Sequence, residues 1–150
     1  MESTLVLGLG NLLLCDEGVG IHVARRLMSL PLPPDVEVLD GGTEGYELLG
    51  HLENRSRVII VDCLNTDAPA GTMIRADVDD IDLQWPEAWS AHHGGLRELL
   101  HGTRMLSPPP EIIILGVVPG TVDEFQVGLS PALQSKFDSI VAATLKVACE

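Results

Sequence analysis

Two carboxylates and an imidazole, Glu17, Asp62 and His92, are the side chains whose types and spacing best suit chemistry. Together they form a hard-to-borderline donor set that fits a divalent transition metal while leaving coordination positions open. Each also has an ordinary structural use. Glu17 can stabilise a first helical turn, Asp62 can cap a turn, and His92 can be a polar residue at a helix start. His93 is one place away, and spacing alone does not separate the two rings. Cys63 beside Asp62, with His92 in reach, offers a thiol nucleophile with a base. No Cys-His signature surrounds it, and a cysteine ending an apolar strand is more often packing. Asp40, before Gly41-Gly42-Thr43, is either ordinary turn chemistry or a further acid for the same site.

The elements that must position these groups start with Gly8-Leu9-Gly10-Asn11-Leu12-Leu13-Leu14-Cys15-Asp16-Glu17-Gly18-Val19-Gly20. The apolar Thr4-Leu5-Val6-Leu7 leads into it, and Val19, Val23, Leu27 and Leu30 follow at helical spacing, which predicts strand, glycine turn and helix. Asp16 is expected to be the N-cap, with Glu17 at the helix mouth. Pro31 to Pro34 stop the helix. Val36 to Leu39 is expected to be a second strand, ending in the Asp40-Gly41-Gly42-Thr43 turn. Thr43 would cap a short helix carrying Leu48, Leu49 and Leu52. Val58 to Val61 is a β-branched run, the mark of a central strand buried on both faces. Gly71 to Arg75 reads as a shorter strand, antiparallel at an edge. Residues 77–91 are acidic and irregular, and their Trp85 and Trp89 suit a partner surface or a cover for the sheet. A helix carrying Leu96, Leu99 and Leu100 follows His92. Ile112 to Val117 is the last strand. Ser130 and Pro131 then open a C-terminal helix with Leu133, Phe137, Ile140, Val141 and Leu145 on one face.

This alternation predicts a three-layer α/β/α fold with a mainly parallel, twisted sheet of about five strands, in one domain over residues 1–150. Sites in such sheets form outside the carboxyl ends of the strands, which brings Glu17, Asp40 and Asp62 to one edge. A net charge of −13 opposes nucleic acid and anionic membranes. Aromatic residues are only 3% of the chain, so the core must be aliphatic. Three cysteines without metal-site spacing do not suggest a disulfide scaffold. The first apolar run has no basic stretch before it and reads as a strand, not a signal peptide, so the cytoplasm is the expected location. Gly8-x-Gly10 is not a dinucleotide fingerprint, because Leu13 stands where the third glycine belongs. The acids Asp16 and Glu17 would also repel a pyrophosphate.

Residues 9–20 resemble the Gly-Asn-x-Leu-x-x-Asp-[Glu/Asp]-Gly-x-Gly opening of the hydrogenase maturation endopeptidases. Asp40-Gly41-Gly42-Thr43, Ile59 to Asp62, Ser90 to Leu96, and Leu115 to Pro119 resemble further family motifs in the same order. The likeness runs from residue 4 to about residue 145. It implies an enzyme that removes a short C-terminal extension from the precursor of a nickel–iron hydrogenase large subunit once nickel has been inserted. The family's metal-contacting residues match Glu17, Asp62 and His92. The family histidine is followed by two residues and then Gly-Leu, so His92 fits and His93 falls one place late. Alanine precedes His92 where some relatives have proline. On this resemblance the nickel arrives with the substrate and serves as a recognition handle, with cadmium or zinc able to take its place in the free protein. Discriminating loaded from empty substrate by a factor of a hundred takes about 3 kcal/mol. Asp40 or Asp62 would be the carboxylate acting as general base on water, unless the metal itself activates the reacting groups. A monomer is expected. The alternatives are a non-catalytic nucleotide- or small-ligand-binding α/β module, and a scaffold that holds the large subunit without cutting it.

Overall fold

The computed structural model describes residues 3–78 and 95–150. Five strands form one sheet: β1 (Thr4–Leu9), β2 (Val36–Gly42), β3 (Arg57–Cys63), β4 (Met73–Asp77) and β5 (Glu111–Val117). The spatial order is β2-β1-β3-β5-β4, with β4 antiparallel to β5 at one edge and every other pairing parallel. Helices α1 (Val19–Met28), α2 (Leu49–Leu52), α3 (Gly95–Thr103), α4 (Pro131–Gln134) and α5 (Phe137–Ala148) connect or follow the strands.

Because side chains alternate across a strand, β1, β3 and β5 supply two separate cores. Val6, Ile59, Val61, Ile113 and Leu115 pack on one face with Val19, Val23 and Leu27 of α1 and Ile140 and Val141 of α5. Leu5, Leu7, Ile60, Ile112 and Ile114 pack on the other with Leu52 of α2 and Leu96, Leu99 and Leu100 of α3. Full burial of each such side chain is worth about 1.5–3 kcal/mol. That is why the central strands read as unbroken apolar runs rather than alternating ones.

Helix α1 lies unusually close to the sheet. A side chain at Gly20 would drive its first carbon into the carbonyl oxygens of Val61 and Leu9, and one at Gly8 would meet the carbonyl oxygen of Gly20. These two glycines let the helix start directly over the ends of β1 and β3.

Several local expectations are corrected. Strand β2 runs on through Asp40, Gly41 and Gly42, so Asp40 stands on a strand and not in a turn. Pairing with the inner strand β1, with Asp40 opposite Gly8, keeps the segment extended. Thr43 caps no helix. The next turn is a 3-10 helix, Tyr46–Leu48, preceded by Gly45, and it leads into α2. Ser130 does cap a helix, accepting from the Leu133 N–H with Pro131 at the first position. That helix ends at Gln134, however, and α5 starts afresh at Phe137. No helix among the described residues is long and apolar enough to cross a membrane.

Candidate functional site

The loop after β1 is built by two backbone departures. Gly10 has φ +147°, and a side-chain carbon there would strike the Glu17 carbonyl oxygen. The loop therefore folds back until the Asn11 N–H reaches that oxygen. Cys15 takes φ 50°, a left-handed conformation that costs a residue with a side chain about 1–2 kcal/mol. Its N–H donates to the Gln126 carbonyl at 2.9 Å, which helps hold it there. Residues Cys15–Gly18 then form a 3-10 turn, and the α1 N-cap is Gly18 with no side-chain cap.

Asp16 is therefore not the N-cap. It is fully buried, and its carboxylate spans to another part of the chain. Oδ2 accepts from the N–H groups of Gly120 (2.8 Å) and Thr121 (2.9 Å) and from the Ser130 hydroxyl (2.6 Å). Oδ1 accepts from the Ser130 N–H at 2.7 Å. Three backbone amides and a hydroxyl satisfy a charge that burial would otherwise penalise heavily. Asp16 thus ties residues 120–130 to the loop that carries Glu17. Sequence gives no local signal for this role, since the partners lie more than a hundred positions away.

Glu17 and Asp62 are both buried, at 5% and 1% exposure. The 3-10 turn bearing Glu17 packs against the end of β3, where Asp62 and Cys63 sit. Both act on the Cys63 thiol. Burial pushes its pKa far above the ordinary thiol range, and the charges of Asp62, Glu17 and Asp16 push it further. The charges of all three acids reach this one sulfur. A thiol held protonated in this way is a poor nucleophile, so the structure opposes the thiol alternative. The Asp62 Oδ1 accepts from the Cys63 N–H at 2.8 Å, which fixes its carboxylate at the strand end.

Asp40 is at the same edge of the sheet but oriented differently. Asp40 shares the parity of Val38, which packs on the α1 face, whereas Asp62 shares the parity of Ile60 and faces the α2–α3 side. Arg25 of α1 donates Nε–H to Asp40 Oδ2 at 3.0 Å, and the Gly42 N–H donates to Oδ1 at 3.1 Å. Glu17 and Asp62 are thus both buried near Cys63, while Asp40 is held in an ion pair with Arg25. His92 and His93 lie outside the described residues, as do Trp85 and Trp89. Among the described residues, no three His, Cys, Asp or Glu side chains are grouped so as to hold a metal ion. A cavity of about 430 Å³ bordered by Arg57, Glu111 and Glu150 opens at the opposite edge, where β1, β3 and β5 begin, away from these acids.

This mostly parallel, five-stranded sheet with its helices matches solved α/β endopeptidases. The hydrogenase maturating endopeptidase HybD from E. coli superposes with a TM-score of 0.83 at 32% identity, covering 97% of this chain and 91% of that one. A [NiFe] hydrogenase maturation protease HycI from Thermococcus kodakarensis shares the fold, with a TM-score of 0.78 at 24% identity over 99% of this chain and 93% of that one. The sequence profile of the hydrogenase maturation protease family matches residues 21–147. The Hydrogenase 2 maturation protease of Escherichia coli is 34% identical over 94% of this chain and 87% of its own length. The chain belongs to the hydrogenase maturation protease family, and its activity is that of an endopeptidase.

Proposed function

We propose that this endopeptidase cuts the C-terminal extension from the precursor of a nickel–iron hydrogenase large subunit, and that nickel carried by the precursor is what it recognises. The observation that supports this is the burial of the Glu17 and Asp62 carboxylates near Cys63 at the carboxyl edge of β1 and β3. Two buried carboxylates attract a cation, and a third donor from His92 would complete a partial set that leaves positions for the ligands nickel already has. The nickel is cargo of the substrate, so an empty precursor offers nothing for these acids to hold. Asp40 and Asp62 are the two candidates for the carboxylate that acts on the scissile bond, Asp40 held by Arg25 and the Gly42 amide and Asp62 by the Cys63 amide. Through its ion pair Asp40 also braces α1 against β2. We expect the protein to work as a monomer in the cytoplasm.

The test is intact-mass measurement of purified precursor, nickel-loaded or nickel-free, after incubation with the purified protein. Only the loaded form should lose a discrete C-terminal peptide. Glu17→Gln, Asp62→Asn and His92→Ala should each abolish the loss while keeping a folded circular-dichroism spectrum. Equal cutting of empty and loaded precursor would refute the handle role of nickel.

A further inference from the structure

Beside the acidic site, the chain exposes an apolar ledge whose backbone is open to pairing. Leu14 and Gln126 form a short parallel bridge, with the Gln126 N–H donating to Leu13 and its carbonyl accepting from Cys15. In a parallel pairing, a residue whose own amide and carbonyl face the partner strand leaves those of its two neighbours facing away. No backbone hydrogen bond among the described residues engages the N–H and C=O groups of Phe125 and Val127, which flank the bridge. The apolar side chains there are exposed as well: Phe125 at 88%, Val127 at 69% and Leu13 at 57%. Exposure of three apolar side chains on one short ribbon marks a binding surface more than a packing defect.

We infer that this ledge is the subsite that receives the substrate's polypeptide, with an extended segment next to the scissile bond adding as a strand along residues 125–127. This deepens the proposed function and rests on it. Three features select that occupant. First, the ledge is continuous with the proposed nickel site, because Cys15 pairs with Gln126 and Glu17 follows two residues later. Second, the Asp16 carboxylate bonds to Gly120, Thr121 and Ser130, so the ledge is fixed to the site and a bound chain would be led to it in one register. Third, exposed Asp123 and Glu124 border Phe125, so the occupant should combine apolar side chains with a basic flank. Strand addition supplies main-chain hydrogen bonds without regard to sequence, while Phe125, Val127 and Leu13 would choose the side chains.

Steady-state processing of nickel-loaded precursor tests this with Phe125→Ser/Val127→Ser, and with Phe125→Leu as the conservative control. Both positions are exposed, so unchanged thermal unfolding is expected and is measured alongside. The double variant should raise KM by about tenfold or more with kcat within about twofold, and Phe125→Leu should stay near wild type. An unchanged KM in the double variant, with wild type active, overturns the subsite and leaves the proposed function standing. Failure of wild type itself to cut loaded precursor overturns both. Sedimentation showing a wild-type dimer that the double variant breaks, with KM unchanged, would give the ledge to a second copy of this chain and overturn the inference.

Discussion

Replacing Asp16 by asparagine changes one atom and removes one charge at the point where the site loop meets residues 120–130. In the native protein Oδ2 takes two N–H groups and the Ser130 hydroxyl, and Oδ1 takes the Ser130 N–H. An asparagine does best with its oxygen in place of Oδ2, because the opposite flip would aim an amide NH₂ at two backbone donors. That choice still sets the NH₂ against the Ser130 N–H and leaves that buried donor without an acceptor. The three remaining bonds fall from charge-assisted to neutral strength. Charged-acceptor bonds contribute about 1.5–3 kcal/mol and neutral ones about 1, with about 1–3 kcal/mol for an orphaned buried donor. The net loss is about 3 kcal/mol, which corresponds to about 6–12 °C in Tm for a chain of this size. Asp16→Ala should cost more, because four donors lose their acceptor at once. Thermal unfolding followed by circular dichroism measures both, and limited proteolysis should show earlier cutting within residues 120–130 of Asp16→Asn. A Tm within about 2 °C of wild type would refute the tie.

Other consequences follow from the same geometry. Gly20→Ala should cost about 3 kcal/mol or prevent folding, because the new methyl meets two backbone carbonyls that cannot move aside; the urea midpoint measures it. Cys63→Ala should process substrate within about threefold of wild type, and iodoacetamide should label native Cys63 poorly, since the thiol stays protonated. Burial chiefly, and then Arg25, lowers the His22 pKa, so the unfolded chain takes up a proton before the folded one does. Stability supplied by neutral His22 is complete above about pH 6.5 and lost as pH falls below it, so His22→Leu should flatten the decline in urea stability between about pH 7 and 5.

The parallel core was legible because burial on both faces leaves its mark in the strands themselves. Val58 to Val61 and Ile112 to Val117 have no polar alternation, and the antiparallel edge strand is shorter and less apolar. The extent of β2 was not legible. Asp-Gly-Gly is turn chemistry locally, and only the β1 ladder beside it keeps the segment extended. The break between α4 and α5 was likewise hidden, since the apolar spacing from Leu133 to Leu145 runs across it.

For the site, sequence by itself determined the residue types and, through motifs taken in order, the family, because a strand-end acid and a glycine turn are each local features. Glu17 and Asp62 could be picked out that way, since both stand where the chain leaves a parallel strand. The tertiary structure alone decided the setting of each acid. It buried Glu17 and Asp62 near Cys63, paired Asp40 with Arg25, and turned Asp16 from a helix cap into the bond between the site loop and residues 120–130. Strand parity and contacts between segments a hundred residues apart make those assignments, and neither is written in the residues next to each acid.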